Sequence, residues 1–162
     1  MAKNEEDRFH CTIYACDRVV TRQMQNNLVD VRNAKLADDN LKTIIVAKRG
    51  ERVNSEQIDK ESPIAKAYWA NWDSLVFKDG CLWRIRYSKN GSRARNLLVI
   101  PRPKSKEIIE KYHRGTNGEH FGVMKTVKEI QRRFYWVGCR RSVAAWIHNC
   151  EESGKLKEGK KK

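Results

Sequence analysis

The sequence predicts an α+β fold that is mostly helical, with N-terminal helices, a small antiparallel β-meander and a C-terminal three-helix bundle. Three observations carry this prediction. Apolar residues recur at helical spacing on both sides of a central stretch. Within that stretch apolar and polar residues alternate on either side of an Asp-Gly turn. Two prolines follow the stretch. A chain of 162 residues has room for one domain or two small ones.

Helices are predicted after an N-terminal segment without sustained periodicity, residues 1–29, which we expect to be disordered. From residue 30 the apolar spacing becomes helical, with a break near Asp38-Asp39 and an end at Gly50. Ser62 then suits a helix N-cap and Pro63 the first turn of a second helix. The core-facing residues of these helices are Val31, Leu36, Leu41, Ile44, Ile45, Ile64, Tyr68 and Trp72.

A meander is predicted over residues 75–100, where the period changes to alternation. Asp79-Gly80 readily takes the positive φ angles of a tight hairpin turn, and a second turn is expected at 88–91. Four arginines fall on this sheet, namely Arg84, Arg86, Arg93 and Arg95. They suit phosphate binding, but alternation with apolar residues is also what a half-buried sheet needs. Both interpretations stay open at this point.

Three helices are predicted after Pro101 and Pro103, which mark a boundary between residues 30–100 and residues 101–154. The apolar residues of the first helix are Ile108, Ile109 and Tyr112, and this helix ends near His113. Those of the second helix are Val123, Val127, Ile130 and Phe134. Those of the third helix are Val143, Trp146, Ile147 and Cys150. The last stripe turns Cys150 toward the other two helices. Residues 155–162 form a lysine-rich basic tail.

Positive charge is concentrated in the second half of the chain. Residues 1–81 hold 13 basic and 13 acidic side chains, whereas residues 82–162 hold 21 basic and 7 acidic ones. This asymmetry favours a surface that faces a polyanion, although a solvated face with a basic tail would give the same count.

The cysteine count and the hydropathy pattern favour a reducing compartment. Five cysteines cannot all pair, the N-terminus is charged rather than a secretory leader, and no apolar run is long enough to cross a bilayer. We therefore expect a nuclear or cytoplasmic protein without a membrane partner.

Several sequence segments together resemble a known family. The segments are Leu98–Arg102 (LVIPR), Tyr112–Gly115 (YHRG), Gly118–Gly122 (GEHFG), Thr126–Gly138 (TVKEIQRRFYWVG) and Trp146–Cys150 (WIHNC). This order is similar to the zinc-binding N-terminal domain of retroviral-type integrases, and most similar to that of gypsy-type LTR retrotransposons. Upstream, ESPIAK at 61–66, WDSL at 72–75 and KDGCLWR at 78–84 resemble the segment that joins ribonuclease H to integrase. The resemblance covers roughly residues 30–155.

The resemblance implies a zinc site of the HHCC type with one ligand changed. It places His113, His120 and Cys150 as ligands, with Ser153 at the fourth position, where the family has cysteine. A serine hydroxyl stays protonated near neutral pH, so we expect zinc binding to be weak or lost. A water molecule or one of three nearby side chains could substitute, namely His148, Glu151 or Glu152.

Residue types alone also allow an interpretation without metal. In that alternative His113 caps a helix end, His120 faces solvent and Cys150 is a core thiol. Cys139 lies eleven residues before Cys150, and we expect it in the core or at the surface rather than in the site.

The resemblance implies a module that binds DNA, forms homo-oligomers, or does both, without being an enzyme. In the family this domain precedes a catalytic core with three acidic residues, and we expect no such core because the sequence ends at Lys162. The candidate nucleic-acid-binding residues are Lys125, Lys128, Arg132, Arg133, Arg140 and Arg141. Two alternatives remain: a degenerate or adopted protein-interaction module, and a fragment of an active integrase polyprotein.

Overall fold

A four-stranded sheet lies between two groups of helices, which confirms the predicted α+β, mostly helical class. The computed structural model describes residues 34, 37–88, 91, 94–115 and 120–150. The predicted disorder of residues 1–29 and the basic tail at 155–162 fall outside these ranges. Among the described residues, no helix combines the length and apolar character needed to span a membrane.

The elements follow one another in three blocks. The first block is helical and contains α1 (Asp39–Lys48), α2 (Ser55–Asp59), α3 (Pro63–Trp69) and a 3-10 turn (Trp72–Ser74). The second block is the meander, with β1 (Leu75–Lys78), β2 (Cys81–Tyr87) and β3 (Ala94–Val99). The third block contains α4 (Arg102–His113), α5 (Val123–Ile130), β4 (Phe134–Tyr135) and α6 (Cys139–His148).

Local capping explains where the first helices begin and end. The predicted break at Asp38-Asp39 is a helix start, because the Asp38 side chain accepts a hydrogen bond from the Asn40 N–H. Helix α1 ends at Lys48, and Gly50 follows with a φ of 94°, as expected for a stop. The Ser62 cap and Pro63 in the first turn of α3 are confirmed.

The predicted meander is confirmed, but the sheet contains one more strand. Strands β1, β2 and β3 pair antiparallel around a turn in which Asp79 and Gly80 have φ values of 52° and 71°. Strand β4 then pairs parallel with β3, so the whole sheet is mixed. The prediction that Phe134 continues the second bundle helix is therefore wrong. Helix α5 ends at Ile130, and the open edge of β3 then gives Phe134 and Tyr135 a strand to pair with and buries the Phe134 side chain.

The two faces of the sheet pack on different helices. Alternation along the strands places Cys81, Leu98 and Phe134 on one face, in a core completed by α4, α5 and α6. The opposite face carries Leu75, Leu82 and Val99 and packs on α1 and α3. The predicted boundary at residues 100–101 therefore runs between paired strands of one sheet. The three-helix bundle itself is present, with α5 packed against both α4 and α6.

Candidate metal centre

Three side chains that bind metals in proteins converge where the ends of the bundle helices meet. One ligand-type atom from each of His113, His120 and Cys150 lies within 4.8 Å of the other two. In the part of the chain that the structure describes, this is the one group of three or more His, Cys, Asp or Glu side chains with such spacing. It is built from segments that are up to 37 residues apart, so tertiary packing rather than local sequence produces it.

His113 occupies the end of α4 and is only 1% exposed. Its Nδ1 lies 2.7 Å from the Phe121 carbonyl oxygen, and since a carbonyl can only accept, Nδ1 carries the proton. The Phe121 N–H in turn donates to the His113 carbonyl at 2.7 Å. The Trp146 ring packs edge-on against the imidazole, with the centroids 5.3 Å apart. This arrangement fixes the tautomer that leaves a lone pair on Nε2, as in most metal-binding histidines.

His120 presents Nδ1 to that lone pair. The distance from His120 Nδ1 to His113 Nε2 is 2.9 Å, and the distance from His120 Nδ1 to the Cys150 sulfur is 3.8 Å. Around a tetrahedral zinc ion, two nitrogen ligands lie about 3.3 Å apart and a nitrogen and a sulfur about 3.6 Å apart, given the usual bond lengths. These two separations differ from the ideal values by a few tenths of an ångström, and the third pair, His113 and Cys150, lies within 4.8 Å. The donor set therefore fits zinc in chemistry, and two of its three separations match the zinc geometry.

A metal-free hydrogen bond would fit the two histidines as well. In that state Nδ1 of His120 carries a proton and donates it to Nε2 of His113. The alternative drawn from residue types fits less well. His113 is buried with its ring nitrogens close to Phe121 and His120, and Cys150 is half-buried rather than a core residue.

Cys150 reaches the cluster by a route that differs from the predicted one. Helix α6 ends at His148, so Cys150 is not on the helical stripe with Val143 and Ile147. Its N–H donates to the Ile147 carbonyl in a turn that directs the sulfur toward His120. The prediction that Cys150 extends the helix is wrong, because the chain tightens into a turn at the helix end. The predicted direction, toward the other two helices, agrees with the 3.8 Å distance between the Cys150 sulfur and His120 Nδ1.

The other candidate ligands that lie in the described part of the chain are not in the cluster. His148 is exposed and outside the cluster. Cys139 is 5% exposed within the bundle core, and burial raises the pKa of its thiol to about 12, so it is a core residue. Ser153, Glu151 and Glu152 lie outside the described residues.

All six predicted nucleic-acid-binding residues are exposed, but they do not form one group. Arg140, near the start of α6, places its guanidinium 3.3 Å from the Met124 sulfur on α5, beside the helix that carries Lys125 and Lys128. Lys125 lies over the Phe121 ring at 3.5 Å, next to the metal centre. Among the other three side chains, Arg132 pairs with Glu129 and Arg133 contacts the Tyr112 hydroxyl. The third, Arg141, is exposed on α6.

The backbone partner of His113 was not predicted from the sequence. The Phe121 carbonyl orients the imidazole, yet any residue at that position supplies the same carbonyl. No side-chain signal could have identified it.

Comparison with known proteins finds a family match over the region that contains His113, His120 and Cys150. Residues 100–156 match the family model described as the integrase zinc binding domain. The chain is similar to Gypsy retrotransposon integrase-like protein 1 of Homo sapiens (25% identical) and of Macaca fascicularis and Mus musculus (26% each), in every case over 122 residues. These alignments cover 75% of this chain and 22% of each relative, so the chain spans about a fifth of their length. No solved structure matches the chain significantly.

Proposed function

We propose that this chain, whose residues 100–156 match the integrase zinc binding domain, is a non-catalytic module that binds DNA and is stabilised by zinc. One observation supports the proposal above all others: the ligand atoms of His113, His120 and Cys150 lie within 4.8 Å of one another in the matched region.

Zinc would act here as a structural cross-link. His113 ends α4, His120 belongs to the connection before α5, and Cys150 follows α6, so one ion would join three separate segments. The ion supplies binding free energy to the folded state, while Phe121 and Trp146 hold His113 in place.

The metal site is proposed to be weaker than a four-ligand site. Ser153 stands where the resemblance implies the fourth ligand, and a neutral hydroxyl binds zinc less well than a thiolate does. The half-buried positions of His120 and Cys150 would let a water molecule complete the coordination.

DNA would be held by the exposed basic side chains of α5 and α6. Arg140 contacts Met124, which precedes Lys125 in the chain and lies one helical turn before Lys128, and Arg141 is exposed beside Arg140. Residues 82–162 carry 21 basic and only 7 acidic side chains, so few carboxylates compete with phosphate for these cations. Contacts of this kind bind duplex DNA without marked sequence preference.

The test is binding of a fluorescent DNA duplex by the full chain over a range of salt concentrations. The triple variant Lys128→Gln, Arg140→Gln and Arg141→Gln should bind more weakly, and the dependence of log K on log salt should be shallower by about 2.7 if each residue makes one phosphate contact. The matched control, Arg52→Gln, Lys60→Gln and Lys66→Gln, removes the same charge from exposed residues before the sheet.

A wild-type chain that does not bind DNA at low salt would overturn the proposal. Equal losses in the triple variant and its control would assign binding to net charge rather than to this surface. A chain that dimerises but ignores DNA would favour the protein-interaction alternative. The polyprotein alternative is tested by sequencing the messenger RNA for a downstream acidic triad.

A further inference from the structure

Two exposed arginines lie side by side on neighbouring strands of the sheet. Arg86 of β2 and Arg95 of β3 are directly opposite in the antiparallel register. Side chains at such positions have Cβ atoms about 4.5–5.5 Å apart, and like charges placed there destabilise a sheet. An anion placed between the two guanidinium groups would offset this repulsion.

The described part of the protein supplies no such anion. Neither Arg86 nor Arg95 has a hydrogen bond or an ion pair with any described residue. Arg84 lies two residues before Arg86 on the same face of β2 and also lacks a carboxylate partner among the described residues. Three guanidinium groups therefore share one face of the sheet without a neutralising carboxylate.

The guanidinium of Arg84 is held in place by two contacts with the fold. Its Nη2 donates to the Asn71 side-chain oxygen at 2.7 Å, and its guanidinium carbon lies 4.2 Å from the centroid of the Tyr135 ring. Its Nε is buried without a hydrogen-bond partner. The meander arginines thus differ in their surroundings: Arg84 is built into the fold, whereas Arg86 and Arg95 extend into solvent. Arg93 lies outside the described residues.

We propose that Arg86 and Arg95 form a clip for the phosphodiester backbone of a nucleic acid, and this inference rests on the proposed DNA-binding function. A guanidinium presents parallel N–H donors that match the oxygens of a phosphate group, and two adjacent guanidiniums can share one phosphate or hold two consecutive ones. A nucleic acid fits better than an acidic peptide because residues 82–162 carry 21 basic and 7 acidic side chains, an excess that suits a long, repeating polyanion.

The first experiment separates a binding role from a structural one. Arg95→Glu replaces the like-charged pair with a cross-strand ion pair, so the melting temperature of the full chain should rise by about 2–4 °C. The same variant should bind DNA more weakly than the wild type. If Arg95 is needed for the fold, the melting temperature falls, and the proposal is overturned.

The second experiment measures the clip in the full chain with a labelled duplex. Arg86→Gln with Arg95→Gln should make the dependence of log K on log salt shallower by about 1.8, the value for two lost phosphate contacts. The matched control, Arg52→Gln with Lys60→Gln, should leave the slope close to that of the wild type.

The outcomes distinguish this inference from the proposed function. If the clip variant behaves as its control while the α5–α6 variant loses binding, the clip is wrong and the proposed function stands. If only the clip variant loses binding, the clip stands and the helical surface is wrong. If the wild type does not bind DNA, both are overturned.

Discussion

At His113 the side chain and the main chain are both bonded to Phe121. The ring donates to the Phe121 carbonyl, and the Phe121 N–H donates to the His113 carbonyl. These two bonds close the connection between α4 and α5 and place His120, one residue earlier, against the His113 ring. The geometry of the ligand cluster is therefore set partly by bonds to the backbone.

The first prediction concerns the Cys139 thiol and alkaline pH. Burial raises the pKa of Cys139 from its ordinary value of 9.0 to about 12, so the folded chain holds this proton more tightly than the unfolded chain does. Its contribution to stability is complete below about pH 9 and declines as the pH rises toward 12. The unfolding free energy, measured by urea titration at several pH values, should fall across this range.

Cys139→Ala identifies the group responsible. The variant should be less stable near pH 8 because it loses buried volume, by roughly 1 kcal/mol, but its stability should fall less steeply at alkaline pH. Zinc affinity should not change, since Cys139 lies outside the ligand cluster. Identical pH profiles for the two proteins would contradict the assignment. Burial also raises the pKa of Tyr68, so some alkaline loss should persist in the variant.

At the scale of elements, one carboxylate joins the beginnings of two distant helices. Asp38 accepts the Asn40 N–H with one oxygen and the Arg102 N–H, at 2.7 Å, with the other. The side chain is 6% exposed, so both bonds are shielded from water. Asp38 therefore positions α4, the helix that ends at His113, relative to α1.

The second prediction follows from this double role. Asp38→Ala should lower the unfolding free energy by about 2–3 kcal/mol, because two backbone N–H groups lose a charged acceptor. The control Asn54→Ala removes an exposed cap from the short helix α2 and should cost about 1 kcal/mol or less. Urea denaturation of the three proteins compares these costs. Equal losses in the two variants would show that the contact with Arg102 contributes nothing.

Elements with strong local signals could be predicted from the sequence. The Asp79-Gly80 turn and the Ser62-Pro63 helix start depend only on neighbouring residues, and both are present. Strand β4 is two residues long and exists because β3 has an open edge, which no local pattern reveals. The bond from Asp38 to Arg102 spans 64 residues and could not be predicted for the same reason.

At the scale of the whole molecule, the sheet connects the three-helix bundle with the N-terminal helices. Tyr135 of β4 packs edge-on against Tyr68 of α3, and the Tyr68 hydroxyl accepts the Val137 N–H at 3.2 Å. Bundle residues thus contribute to the core under α1 and α3, while Cys81 and Leu98 contribute to the bundle core. Order gained in the bundle on zinc binding should therefore extend to the sheet and α3.

The candidate site was predictable by resemblance but not from residue types alone. Two histidines and a cysteine spread over 38 residues occur in many proteins that bind no metal, and only the family-like sequence segments around them indicated a site. The structure adds that their ligand atoms meet and that His113 presents Nε2 to the cluster. That these residues bind zinc stays a prediction.

The most direct test of the account is a zinc titration of the full chain with melting curves recorded in parallel. A structural zinc site contributes about 10–16 kcal/mol of apparent binding free energy in small zinc-folded peptides, so a missing thiolate should leave affinity well below that of a four-ligand site. Ser153→Cys should raise both zinc affinity and melting temperature, whereas His120→Ala should lower zinc affinity. His148→Ala, which removes an exposed histidine outside the cluster, is the matched control and should change neither. If Ser153→Cys and His120→Ala both match the wild type in zinc affinity and in zinc-dependent melting, these positions are not a metal site, and the account is contradicted.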